Sequence, residues 1–369
     1  MIYLDNGATS FPKPARVGAA MASAVRRCAN PGRGGYGAAM AAAETVFRCR
    51  TLAAELFGCG QEQIVLTPGC TYGINMAIRT LLEPGDRVVI SGFEHNAVTR
   101  PLWAMGTEMV VAGRRLFDWD DTLEQWEQAL KSGPKAAVFT HVSNVFGYIL
   151  PVEQMSALCR RYGVPFAVDA AQSAGALPVE PEKWGADFVA MPGHKGLLGP
   201  QGTGILICRR LPVPLVAGGT GSESHSMQMP DYLPDRGEAG TVNVPGFAGL
   251  SAGLETVAAL GTEHIFRREQ EQAAFCTQKL EKMGVRVFSG PHQGGTLSFL
   301  PDGDCETAAR SLAQEGIAVR AGLHCAPLAH ESAGTAETGT VRVSFGHRAG
   351  PEQSRAFLRA MNRIFPGSP

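Results

Sequence analysis

The stretch ADFVAMPGHKGLLGPQGTGILICRR, Ala186 to Arg210, decides the fold class. Two apolar runs, "ADFVAMP" (186–192) and "TGILICRR" (203–210), flank a glycine-rich turn that carries Lys195. Runs apolar on both faces and bounded by Gly and Pro read as buried strands. The turn therefore leaves a sheet at the carboxyl end of a strand, where open α/β sheets bind ligands. The same texture repeats upstream. "QIVLT" (63–67) precedes the helical pattern "INMAIRTLL", and "RVVIS" (87–91) precedes a loop and more helix. "AAVFTHVS" (136–143) precedes the helical "VEQMSALCRRYG", after which comes "PFAVDAAQ" (165–172). Strands separated by helices predict an α/β large domain over 16–246, its mostly parallel sheet covered by helices. After about residue 246 a long helical stretch leads to the short strands "VRVFS", "GTLSFL", "GIAVRAG" and "GTVRVSFG". That pattern predicts a smaller α+β domain over 247–369, with residues 1–15 packing beside it.

Composition narrows the function classes. A chain of 369 residues, 44% hydrophobic, has length for more than one compact unit. A net charge of -1 gives no basic footprint for nucleic acid or for an anionic membrane surface. No run approaches the ~20 apolar residues of a membrane span, and the N-terminus lacks the basic start of a signal peptide. The expectation is a cytoplasmic protein. Its nine cysteines are dispersed, odd in number and free of any C-x-x-C pair. This argues against a disulfide framework or a zinc site, and packing is the ordinary reading of each.

The strand ends carry the chemistry. After "IVLT" comes Pro68-Gly69-Cys70-Thr71, a Gly-containing turn entering a helix, whose free N–H groups and dipole suit an anion. An ordinary helix cap reads the same way, and no G-x-G-x-x-G or G-K-[ST] is present. His95 and Asn144 follow the next strands, each as easily structural as functional. Asp169 ends an apolar strand, costly to bury unless a cation or a donor meets it, and Gln172 follows. Of the seven lysines only Lys195 follows a buried strand, and a desolvated, fixed lysine suits Schiff-base chemistry. An anion cup at Thr71, a carboxylate at Asp169 and that lysine together meet the three needs of pyridoxal phosphate: phosphate, ring nitrogen and aldehyde.

With these residues in place, the chain resembles the cysteine desulfurase family of the class V, fold-type I pyridoxal-phosphate enzymes. The carrying stretches include "YLDNGATSFPKP", "TPGCTYGINMAI", "FEHNAV", "HVSNVFG", "VDAAQSAGALP", "MPGHKGLLGPQGTGIL", "EAGTVNVPG", "VRAGLHCAPL" and "TVRVSFG", in the family's order over residues 2–346. The resemblance implies that Lys195 bonds to the cofactor and moves protons, and that His95 lies on the ring face and assists. It implies that Asp169 pairs with the ring nitrogen, that Gln172 reaches the phenolic oxygen, that Thr71 and His194 help hold the phosphate, and that Cys70 also lies at the cofactor. Thr241 would reach the phosphate of a neighbouring protomer, which implies a homodimer with a shared active site. Arg342, with Asn144, Arg320 and Arg33, would bind the substrate carboxylate.

Cys325 falls at the position of the persulfide-forming cysteine. The implied reaction converts L-cysteine, or a close analogue, to L-alanine, passing sulfur to an acceptor protein or small thiol. Sixteen residues separate Cys325 from Arg342, which resembles the short-loop subgroup. The alternatives on the same fold are a selenocysteine lyase, a cysteine sulfinate desulfinase or an aminotransferase; a non-catalytic scaffold is a further one. An aminotransferase has no need of Cys325. A metal site at His324, Cys325 and His330 lacks further ligands, so no metal is expected. Departures from the family pattern at Gly7, Tyr36, Pro192 and His347-Arg348 leave room for a shifted substrate preference.

Overall fold

The computed structural model describes residues 1–32 and 34–365. In chain order the first half runs β1 (Ile2–Tyr3), α1 (Ala15–Arg27), α2 (Gly37–Phe57), β2 (Ile64–Thr67), α3 (Cys70–Leu81), β3 (Arg87–Ser91), α4 (Asn96–Ala104), β4 (Glu108–Ala112), α5 (Trp119–Lys131), β5 (Ala136–Thr140), α6 (Val152–Arg161), β6 (Phe166–Asp169) and α7 (Pro181–Trp184). The second half runs β7 (Phe188–Pro192), β8 (Gly204–Cys208), α8 (Val244–Leu260), α9 (Thr262–Lys282), β9 (Arg286–Phe288), β10 (Thr296–Leu300), α10 (Cys305–Gln314), β11 (Ile317–Ala318), β12 (Arg320–Gly322), α11 (Pro327–Ala333), β13 (Thr340–Ser344) and α12 (Pro351–Ile364).

Seven strands form the large sheet in the order β2-β8-β7-β6-β5-β3-β4. The pairs β3–β4, β3–β5, β5–β6 and β6–β7 are parallel. β8 runs antiparallel to both β7 and β2. The connection from Pro192 to Gly204 is too short to hold a crossover helix, so the chain must turn back on itself. Alternate side chains of one strand feed two cores. In β5, Ala137 and Phe139 enter the core under α5 and α6, whereas Ala136 and Val138 enter the one under α3 and α4. Each large apolar side chain so buried contributes about 1.5–3 kcal/mol.

A second sheet, β12-β13-β10-β9, is antiparallel throughout and packs with α9, α10 and α12 around Leu297, Phe299, Val341 and Phe357. β1 pairs in parallel with β11, which places the chain's first residues against this unit. The boundary expected at 246/247 runs through α8. Phe247, Leu250 and Leu254 of that helix lie in the large core.

Candidate active site

A cavity of about 460 Å³ opens at the carboxyl ends of the parallel strands. Cys70, Thr71, His95, Asn144, Asp169, Gln172, His194 and Lys195 all line it. Its size lies within the usual range for a small-molecule site. Strand register explains the convergence: Asp169 is level with Thr140 on one side and Ala190 on the other, so the loops that follow share one rim.

One wall is the start of α3. Its N-cap, Gly69, has no side chain to satisfy the first amides, so those of Cys70 and Thr71 lack a cap. β8 lets this turn approach closely, because a Cβ on Gly204 would sit 2.6 Å from the Gly69 Cα. These amides, the helix dipole and the Thr71 hydroxyl are groups that could meet an anion. Pro192, also lining the cavity, adds neither an N–H nor a hydroxyl to it.

Asp169 is buried. Its Oδ1 accepts the Ala171 N–H at 2.8 Å and the Cys70 thiol at 3.4 Å. No hydrogen bond to Oδ2 is found among the described residues, which leaves that oxygen for a ligand. Burial drives the Cys70 thiol well above its ordinary value, so it stays protonated and donates. His95 is the N-cap of α4, with Nδ1 accepting the Ala97 N–H at 3.0 Å. The proton of the neutral ring therefore sits on Nε2. Burial lowers the His95 pKa, opposed by the Asp169 charge and assisted by Lys195.

Burial also lowers the Lys195 pKa, against the pull of Asp169, which favours a neutral amine. The turn that carries it is tightly seated. A Cβ on Gly196 would lie 2.2 Å from the Ala174 carbonyl oxygen. Gln172 donates from Nε2 to the Gly7 carbonyl at 3.0 Å.

The arginines lie behind this wall rather than in it. Arg342 is 2% exposed; its Nη2 donates to Asp5 Oδ1 at 2.7 Å and its Nη1 to the Asn144 carbonyl at 2.9 Å. Its Nε and the Asn144 Oδ1 are buried without partners among the described residues. Arg320 meets the other oxygen of Asp5 at 3.0 Å. Thr241 is exposed and outside the cavity, and Arg33 lies outside the described residues. Asp5 was missed from sequence. The signal was available, because it ends the apolar "IYL" as Asp169 ends "FAV".

Cys325 is the exposed cysteine among the nine. His324 and Cys325 have φ of 50° and 57°, two successive left-handed residues that are not glycine. Such geometry costs of order 1–3 kcal/mol each and persists only where the surroundings impose it. Here they do. The Cys325 carbonyl accepts the Asn96 N–H at 2.7 Å, the His324 carbonyl accepts Asn144 Nδ2 at 2.7 Å, and His324 Nε2 donates to the Thr340 carbonyl at 3.1 Å. Asn96 follows His95, and Asn144 lines the cavity, so the backbone of this turn is tied to the cavity wall, although Cys325 itself does not line the cavity. Burial and the Arg342 charge hold the His324 pKa down at about 2, which keeps that ring neutral. His330 Nδ1 is engaged by Thr335 Oγ1 at 2.8 Å.

The class-V aminotransferase family model matches residues 2–357. The chain belongs to that family. A probable cysteine desulfurase of Xylella fastidiosa is 31% identical over 381 residues, covering 99% of this chain and 91% of the relative. A cysteine desulfurase structure from Thermococcus onnurineus is 31% identical with a TM-score of 0.92, covering 100% of this chain and 95% of the other. The cysteine desulfurase structure from Escherichia coli is 27% identical with a TM-score of 0.88, covering 99% and 94%.

The residues present fit the pyridoxal phosphate of this family. Thr71 and the α3 amides answer a phosphate, Asp169 Oδ2 a protonated ring nitrogen, Lys195 an aldehyde, and His95 a ring face.

Proposed function

We propose that this protein is a pyridoxal-phosphate-dependent cysteine desulfurase, converting L-cysteine to L-alanine and taking the sulfur as a persulfide on Cys325. The observation that carries the reading is the strained, exposed Cys325 turn, tied to the cavity wall through Asn96 and Asn144. An aminotransferase has no use for such a thiol.

Pyridoxal phosphate, when bound, supplies an electron sink for negative charge at the substrate Cα. The Lys195 amine, its pKa lowered by burial, takes the Cα proton and returns one. His95, its Nδ1 committed to the backbone, offers Nε2–H at the cavity wall. Asn144, which lines the cavity and keeps one Nδ2 N–H beyond its bond to the His324 carbonyl, and Arg342 behind it supply the donors for a substrate carboxylate. The Cys325 sulfur bonds to the substrate sulfur, the Cβ–S bond breaks, and its electron pair passes to carbon, which a proton completes as the alanine methyl group. The balance is one cysteine and one thiol giving one alanine and one persulfide.

The seven-residue helix α11 occupies much of the segment between Cys325 and Arg342, so the thiol is presented on structured chain. A sulfur-acceptor protein or small thiol in the cytoplasm then takes the persulfide. The exposed Thr241, the exposed Tyr36 that caps α2, and the exposed Met40 and Phe47 of α2 support a homodimer in which Thr241 completes the partner's phosphate site. Incubation with L-cysteine tests the reading. Equal alanine and sulfane sulfur support it, pyruvate indicates β-elimination, and dependence on a keto acid indicates transamination.

A further inference from the structure

The carbonyl oxygen of His194, in the peptide bond to Lys195, accepts from four donors of one segment. They are the Ser10 N–H at 3.1 Å, Thr9 Oγ1 at 3.0 Å, Ser10 Oγ at 3.2 Å, and the Lys13 ammonium. A carbonyl has two lone pairs, so this oxygen is fully claimed. Because the peptide is planar, fixing that oxygen also fixes the Lys195 nitrogen and constrains its Cα. The ring of His194 is held by the same segment, Nδ1 lying 3.1 Å from Thr9 Oγ1. Lys13 Nζ also donates to Ser10 Oγ at 2.7 Å, and no carboxylate lies within ion-pair distance among the described residues. Lys13 does not line the cavity. Its ammonium is half-buried with a peptide oxygen and hydroxyls as its only counterparts. Burial pulls its pKa down to about 8, which leaves it mostly charged at neutral pH.

We propose that Lys13 is a positioning residue: its ammonium clamps the His194 carbonyl and so orients the turn that presents Lys195 to the cofactor. The same segment also carries Asp5, on Arg342, and Gly7, whose N–H donates to Ser344 Oγ at 2.7 Å. One short strap thus links the lysine of the large domain to the arginine of the small one. This inference rests on the assignment of Lys195 above.

The test uses K13M, K13R and K195A, each loaded with pyridoxal phosphate, and reads visible circular dichroism per bound cofactor alongside kcat and KM for L-cysteine. The expected result for K13M is a reduced dichroic band and a kcat lower by roughly tenfold, with KM within about twofold, as for a small misplacement of a reacting group. K13R recovers most of both. An unchanged band and kcat in K13M, or equal losses in K13M and K13R, overturn the proposal. Should K13M fail to fold or load, T9V/S10A removes two other donors; a band reduced below that of the parent protein supports the clamp, and an unchanged band overturns it. K195A separates the two readings: a normal lysine-bound cofactor spectrum there removes the assignment of Lys195 itself.

Discussion

The Asn96 N–H donates to the carbonyl of Cys325 across 2.7 Å, joining the residue after His95 in the large domain to the exposed thiol of the small one. The bond holds a left-handed Cys325 against the helix that His95 caps. Its first consequence concerns the thiol. Cys325→Ala should still bind L-cysteine, seen as a change in the visible spectrum, while persulfide-dependent sulfide release falls by more than about a hundredfold, the scale of losing a nucleophile. Undiminished sulfide release in the presence of reductant would remove Cys325 from the mechanism.

Lys195→Ala should fold and retain the cavity but lose the visible absorbance of lysine-bound pyridoxal phosphate. Burial and proximity single this amine out. Absorption spectra before and after dialysis check it, and a parental spectrum would be the contrary result.

Asp5 is the counter-charge of a buried arginine. Removing it leaves Arg342, 3% exposed in its side chain, without an acidic partner. Loss of one member of a buried pair costs about 3–5 kcal/mol. Asp5→Ala should therefore lower the urea midpoint clearly and raise KM for cysteine as Arg342 loses its orientation. Urea unfolding followed by circular dichroism measures the first and steady-state kinetics the second; a parental midpoint and KM together contradict the reading.

Two buried histidines contribute to the pH dependence of stability. Burial lowers the pKa of both His141 and His330 from 6.5 to about 4. Between these values the unfolded chain binds the proton and the folded one does not, so stability is present above pH 6.5 and is lost as pH falls toward 4. Each group contributes a slope of at most about 1.4 kcal/mol per pH unit in that window. The urea midpoint should fall from pH 7 to pH 5, and more steeply than in an H141Q/H330Q variant. Parallel curves for the two proteins would count against it.

Much of the site was legible because strand ends announce themselves. Asp169 after "FAV" and Lys195 after "FVAMP" are charged groups that only a ligand or a partner makes affordable at the end of a buried strand. Helical spacing and glycine turns likewise placed α3 and the candidate anion site before it. Other features were not legible. β4 is a short edge strand, "EMVVA", whose periodicity is too brief to stand out between helices. Which unit α8 joins depends on which core its apolar face meets, and a helix apolar on most sides does not say. Asp5 carried the same signal as Asp169, but its two arginines lie more than three hundred residues away.

Local pattern alone determined the α/β class, the rim of the cavity and the identities of the groups that can hold pyridoxal phosphate, because each rests on neighbours within a few residues. Tertiary structure decided how those groups are used. It put Arg342 behind Asn144 and onto Asp5, set four donors on the His194 carbonyl, and forced Cys325 into a left-handed turn tied to the cavity wall. These arrangements are hydrogen bonds between segments distant in sequence. Their distances and angles follow from how the two domains pack, which no window of residues contains.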